Sequence, residues 1–276
     1  MTGTPEIGGM VVAGGIPTNI HDSGHDPGNG VVLLIHGSGP GVSAWANWRL
    51  TIPALSPHFR VIAPDVVGFG FTERVVDSYD LDTWTAHAVA VLDALGVDRA
   101  HVVGNSFGGS LALSLAIRHP DRVRRLGLMG AVGLDFPITP GLDAVWGYEP
   151  SVAAMADLLR IFTATPAPGL DDLAQLRYEA SIRPGVQEAY ARMFPAPRQR
   201  WVSALAHAET DVAAITAPTM IFHGREDQVI PLATSLRLFE LIPDAQLHLF
   251  GGCGHWTQIE HAEVFNRLLR DFLLGD

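Results

Sequence analysis

Apolar positions along this chain follow two rhythms that alternate from end to end. The first is a short unbroken run: Val31-Val-Leu-Leu-Ile35, Arg60-Val-Ile-Ala63, Ala100-His-Val-Val103, Arg125-Leu-Gly-Leu-Met129, Thr219-Met-Ile-Phe222 and Gln246-Leu-His-Leu-Phe250. Short apolar runs without polar alternation predict strands buried on both faces of a sheet. The second rhythm is helical. Between Thr83 and Leu95 the residues Ala86, Val89, Ala90, Leu92 and Leu95 recur at helical spacing until Gly96 stops them. Further helices are predicted over Trp48–Leu55, from Ser110 to Pro120, over 233–241 and, as an amphipathic closing element, over Glu263–Leu274. Residues 8–23 carry two apolar patches split by Gly14-Gly15 and Pro17, the pattern of an antiparallel edge hairpin. Strands alternating with helices imply an α/β fold with a mostly parallel central sheet flanked by helices.

The alternation breaks near Gly133. Residues 135–210 hold eight prolines and no clear strand, with helical patches at Met155–Phe162, Leu170–Ile182 and Gln187–Met193. The expectation is a helical cap, 135–210, inserted into a core made of 1–134 and 211–276. A cap over the carboxyl ends of the strands would cover the place where open α/β sheets bind ligands, and would shut out water.

Composition narrows the classes of function. With 276 residues, 47% hydrophobic and 17% charged, the chain suits one large α/β domain with an insertion and excludes a disordered protein. A net charge of −11 argues against a nucleic-acid or anionic-membrane partner, though not against a small anion met by a local cation. Cys253 is the sole cysteine, which removes an intrachain disulfide and a cysteine-based zinc site. No apolar stretch approaches a bilayer span, and the first residues lack a basic start and an apolar core, so a cytoplasmic location is expected. His-Glu-x-x-His spacing is missing, and no metal or other cofactor is expected.

The candidate chemistry centres on Gly104-Asn105-Ser106-Phe107-Gly108, placed between a predicted strand and a predicted helix. Gly-x-Ser-x-Gly in that context is a turn sharp enough to push the serine hydroxyl out above the sheet; without it, the pentad would be an ordinary Gly/Ser turn. Asp227 and His255 also lie just past predicted strands, and Ser…Asp…His is the order of a hydrolase triad on this kind of sheet. Imidazole at His255 takes the serine proton only if its other nitrogen donates to a carboxylate, here Asp227, with the adjacent Glu226 expected to point into solvent. His36, His101, His223 and His248 flank strands and are expected to be packing or loop-bonding groups. The loop His36-Gly37-Ser38-Gly39-Pro40-Gly41 leaves backbone N–H groups open to a ligand, so Ser38 and Phe107 are the candidate oxyanion donors.

Several segments carry a resemblance. Gly-Asn-Ser-Phe-Gly-Gly, His-Gly-Ser-Gly-Pro-Gly-Val-Ser-Ala-Trp-Ala-Asn-Trp and Gly-Cys-Gly-His-Trp-Thr-Gln resemble the meta-cleavage product hydrolases, carbon–carbon bond hydrolases of aromatic degradation. Cap stretches 136–150 and 193–201 resemble the members that take a hydroxymuconic semialdehyde. The resemblance implies an α/β-hydrolase fold and a small anionic dienoate substrate, cut to 2-hydroxypenta-2,4-dienoate plus formate or a short carboxylate. It assigns Arg177 to the carboxylate and enol end, with Asn47, Asn105 and Trp256 helping and Gly37 and Gly39 nearby. A guanidinium suits that role because it holds two oxygens at once. A homo-oligomer, dimer or higher, is expected. Trp146, Phe162, Met193 and Phe194 are candidates to narrow the pocket at the remote carbonyl. Two alternatives stay open: a carboxylesterase or lactonase with the same triad, and a non-catalytic ligand-binding protein of this fold.

Overall fold

A computed structural model gives the architecture and describes residues 4–75, 78–165 and 169–275; Pro166 and Pro168 of the proline-rich stretch lie outside them. Eight strands form one sheet: β1 (Gly9–Ala13), β2 (Ile16–Asp22), β3 (Val31–Ile35), β4 (Arg60–Pro64), β5 (Ala100–Asn105), β6 (Val123–Met129), β7 (Thr219–Gly224) and β8 (Ala245–Phe250). Their spatial order is β1-β2-β4-β3-β5-β6-β7-β8, with the β1–β2 hairpin antiparallel and all pairings from β4 to β8 parallel.

Why β3 is apolar at every position follows from the pleat. Successive side chains point to opposite faces, and each face has its own core. Val31, Leu33 and Ile35 join the larger core with Trp84, Phe107 and Leu111, while Val32 and Leu34 join a second core with Trp48, Phe59 and Phe265.

Helices α1 (Ala44–Trp48), α2 (Ile52–Leu55), α3 (Leu81–Ala94) and α4 (Phe107–Arg118) pack on the sheet, and α5 (Pro140–Trp146), α6 (Val152–Phe162), α7 (Leu170–Ser181), α8 (Val186–Met193), α9 (Gln199–Ala204) and α10 (Glu209–Ala213) follow between β6 and β7. Helices α11 (Leu232–Leu241), α12 (Thr257–Glu260) and α13 (Ala262–Leu274) complete the chain. The single helix expected over Trp48–Leu55 is instead two. Ser43 caps α1 by accepting from Ala46 N–H at 3.1 Å. Pro53 lacks the N–H an interior turn needs and is tolerated only in a first turn, so the chain turns at 49–51 and restarts at Ile52. The short helices α5, α9, α10 and α12 were not predicted, because four to seven residues hold too little of an amphipathic period to register. Among the described residues no helix is long and apolar enough to cross a membrane.

Candidate active site

The chain reverses at the end of β5, and Ser106 occupies the turn. Its backbone, φ 54° and ψ −116°, is the one positive-φ conformation at a non-glycine among the described residues. Such a conformation is strained for an L side chain and persists only where neighbours hold it. Here Ser106 N–H donates to Met129 O at 2.8 Å, and Ser106 O accepts from Gly109 and Val132 at 2.9 and 3.0 Å. The flanking glycines are steric requirements: a Cβ on Gly104 would lie 2.1 Å from Gly108 O, and one on Gly108 would lie 2.4 Å from Ile35 O. Ser106 thereby reaches the wall of a cavity of about 340 Å³.

Asp227 follows β7 and His255 follows β8, and their side chains meet. Nδ1 of His255 is 2.7 Å from Oδ2 of Asp227, with side-chain exposures of 3% and 1%. Oδ1 of Asp227 accepts from Val229 N–H at 2.7 Å and Ile230 N–H at 3.0 Å. Burial pushes the Asp227 carboxyl up, but His255, His223 and the Ile230 N–H together outweigh it and leave the group below the usual carboxylate range. An ionised Asp227 takes a hydrogen bond from Nδ1–H, which leaves Nε2 of His255 as the basic nitrogen. Gly130 packs on this pair, since a Cβ there would come within 3.1 Å of His255 Nδ1 and 3.2 Å of Asp227 Oδ2. Glu226 does turn away from His255, but not simply into solvent: Oε2 accepts from Cys253 N–H at 3.0 Å and Oε1 from Arg225 at 2.9 Å.

Helix α6 holds the histidine loop. His255 N–H donates to Phe162 O at 2.8 Å, and Trp256 stacks on the Phe162 ring at 4.6 Å. His255 and Trp256 both line the cavity with Ser106.

The loop after β3 supplies Gly37, Ser38 and Gly39 to the same cavity. His36 fixes its course: Nε2 accepts Val66 N–H at 2.9 Å, so Nδ1 carries the proton and donates to Gly37 O at 2.7 Å. Complete burial pushes this imidazole down to about 4, so it is neutral near pH 7. The Phe107 ring is wholly buried, while its N–H opens α4 and lies among those that lack an intrahelical partner. His223 bonds Ser235 Oγ at 2.7 Å, His101 packs edge-on to Phe59 and His248 stacks on Phe222, as loop and packing groups do.

Asn47, Asn105 and Arg177 also line the cavity. Asn47 Oδ1 accepts Gly37 N–H at 3.3 Å while its Nδ2 has no protein partner, and Asn105 Nδ2 donates to Met129 O at 3.3 Å. Arg177 is not free. Nη1 pairs with Glu6 Oε1 at 2.8 Å and Nη2 donates to Gly41 O.

Of the four bulky residues expected to narrow the pocket, Phe162 lines it, whereas Trp146, Met193 and Phe194 are buried and absent from its wall. Phe194 instead packs against Trp146, Trp84 and Phe107, which draws that part of the segment between β6 and β7 into the core. Helices α5 and α6 add Leu142, Val145, Met155 and Leu159 to an apolar wall that also includes Val42, Leu173, Val229 and Ile259. Sequence reasoning did not single these out, nor Glu6, Arg49 and Gln258, although Val42, Leu142, Val145 and Gln258 stood within the segments that carry the resemblance. No group of three or more His, Cys, Asp or Glu among the described residues is arranged to hold a metal ion.

An α/β hydrolase fold family model matches residues 30–262. The chain is 60% identical over 271 residues to the 2-hydroxymuconate semialdehyde hydrolase of Pseudomonas sp. (strain CF600), covering 98% of this chain and 95% of that one. It is 60% identical over 272 residues to the 2-hydroxy-6-oxo-2,4-heptadienoate hydrolase of Pseudomonas putida strain F1, covering 98% of each. A solved meta-cleavage product hydrolase from Pseudomonas fluorescens IP01, a serine-to-alanine variant complexed with acetates, matches with a TM-score of 0.94 at 56% identity over 97% of each chain. With identity at this level running the length of the chain, and Ser106 held in a tight strand-to-helix turn, the protein belongs to the α/β-hydrolase family and, within it, to the meta-cleavage product hydrolases.

Proposed function

We propose that the protein hydrolyses the C5–C6 bond of 2-hydroxy-6-oxohexa-2,4-dienoate and its small 6-alkyl analogues. The products are 2-hydroxypenta-2,4-dienoate and formate or a short carboxylate. One observation carries this reading: a single cavity holds Ser106, the His255 of a 2.7 Å His–Asp pair, and the Arg177 guanidinium. An ester hydrolase has use for the first two but not for an arginine placed to receive a carboxylate. The names of the two relatives at 60% identity support the same substrate class.

The chemistry follows from the groups present. Arg177, with Asn47, Asn105 and Trp256, receives the carboxylate and 2-hydroxyl end. The dienol takes a proton at C5 and its 2-hydroxyl gives one up, which yields a 2-oxo group conjugated with C3=C4. Ser106 Oγ, or a water it activates, then adds to the C6 carbonyl while His255 Nε2 accepts the proton. The new oxyanion at C6 faces the Ser38 and Phe107 N–H groups, each worth roughly 3–4 kcal/mol in comparable sites. Collapse breaks C5–C6, and the electron pair moves through C4 and C3 onto the 2-oxo oxygen. Addition of one water balances the reaction.

The 135–210 insertion acts in this reading as a cap, since α5, α6 and α7 supply cavity residues that the sheet cannot. Self-association fits the exposed Leu236, Phe239 and Leu249 beside edge strand β8. A cytoplasmic setting fits a lone, buried, unpaired cysteine. The test mixes purified protein with ring-cleaved catechol and follows the yellow dienolate band. The band should disappear with release of one formate per substrate. A persistent band together with rapid turnover of a simple ester would establish the esterase reading instead.

A further inference from the structure

We propose that Glu6, entering the cavity from the segment before β1, is a positioning residue for Arg177 and sets the charge of the site's carboxylate end. The inference rests on Arg177 being the substrate clamp.

Glu6 lies 171 positions from Arg177, yet both oxygens of its carboxylate are held: Oε1 by Arg177 Nη1 at 2.8 Å and Oε2 by Ser43 Oγ at 2.7 Å. Its carbonyl is held as well, by Asn19 Nδ2 at 3.0 Å and His21 Nε2 at 3.2 Å. Gly8 N–H returns to Asn19 Oδ1 at 2.8 Å, and Asn19 is anchored to the buried Asp65 at 2.8 Å. Terminal segments are poorly ordered unless tied down. This one is tied at the Glu6 side chain, the Glu6 carbonyl and the Gly8 N–H, and that side chain is 13% exposed against 11% for its arginine.

Charge gives the arrangement its consequence. The cavity wall carries two guanidiniums, Arg49 and Arg177, and one carboxylate, Glu6. The cations oppose one another: burial and then the Arg177 charge lower Arg49, and Glu6 raises it. With Glu6 ionised the wall bears one net positive charge, which matches a substrate with one carboxylate and a neutral dienol. The dienolate adds a second negative charge on the oxygen next to that carboxylate. A wall with two net positive charges would stabilise this dianion as a bound state and hold its charge on the 2-oxygen, away from C5. Glu6 and Gly41 also occupy one donor on each terminal nitrogen of Arg177, which fixes its plane and leaves its remaining donors for the ligand.

The experiment places Glu6→Gln, Glu6→Asp and Arg49→Gln in a Ser106→Ala background and records the dienol-to-dienolate spectrum of bound, ring-cleaved catechol at saturation. Relative to Ser106→Ala alone, Glu6→Gln should raise the dienolate ratio about tenfold, as one charge at short range in a partly buried site does. Arg49→Gln should lower it, and Glu6→Asp, which keeps the charge, should leave it near the parent value. With Ser106 intact, Glu6→Gln should lower KM and kcat together. An unchanged ratio in Glu6→Gln or Arg49→Gln, or a raised KM at parental kcat in Glu6→Gln, overturns the proposal. If Glu6→Gln does not fold, Arg49→Gln decides it. Parental dienoate affinity in Arg177→Ala would instead overturn the clamp itself.

Discussion

Trp146 donates its indole N–H to the Ser38 hydroxyl at 2.9 Å, joining the last residue of α5 to the loop that follows β3. The indole is fixed by a parallel stack on Phe194, with centroids 4.5 Å apart at 5°. One hydrogen bond thus links the insertion to the loop assigned to the oxyanion. Trp146→Phe keeps a stacking ring and loses the donor. It should cost about 1 kcal/mol of stability in denaturant melts, with kcat falling several-fold and KM little changed. Parental kcat would mean that the loop keeps its shape without the insertion.

Ser106→Ala should abolish turnover and retain binding, because the cavity wall beyond the hydroxyl is untouched. Asp227→Asn should reduce kcat by roughly 10⁴-fold, since an amide in that place favours the wrong imidazole tautomer. Glu226→Gln should act on the Cys253 loop and leave kcat nearly unchanged, as its oxygens never reach His255. Pre-steady-state kinetics on the three variants separates these outcomes; a large kcat loss in Glu226→Gln with activity in Asp227→Asn would reverse the choice of acid.

Acid should unfold this protein through histidines that the reaction does not use. Burial holds His36, His87 and His101 down at about 4. Protonation is easier in the unfolded chain, so stability is fully present above the unfolded value near 6.5 and is lost as pH falls toward 4. Each contributes up to about 3 kcal/mol across that window. Asp65, raised to about 6 by burial, acts oppositely and recovers part of the loss as it protonates. Tm should therefore fall steadily from pH 6.5 to 4.5, most simply followed by calorimetry. A flat or rising Tm would show that these imidazoles are not held neutral.

A small group on the remote carbonyl should be preferred over phenyl. Leu142, Val145, Met155, Leu159 and Phe162 belong to the apolar wall of a cavity of about 340 Å³. Overpacking it should cost about 1–3 kcal/mol, or roughly 5–150-fold in kcat/KM. Ring-fission products of catechol, 3-methylcatechol and 2,3-dihydroxybiphenyl, assayed side by side, give the ranking. Were the biphenyl-derived product the best of the three, a roomier pocket than this wall allows would be required.

The sequence by itself determined whatever is local or periodic. The apolar run of β3 announces a strand with a core on each face, because the pleat repeats every second residue. Ser106 was legible because a strand, two sterically required glycines and a helix follow one another without a break over 100–118. Asp227 and His255 were legible because parallel strands all deliver their ends to one edge of the sheet. Only the tertiary structure decided which faces of the insertion helices meet the cavity. Trp146 and Phe194 went into an aromatic cluster with Phe107 and Trp84, while Leu142 and Val145 of the same α5 helix reached the wall. It also brought Glu6 to Arg177 across 171 positions. A helix face is chosen by what packs against it, and a single long-range ion pair leaves no period in the chain, so neither could be read before the chain was folded.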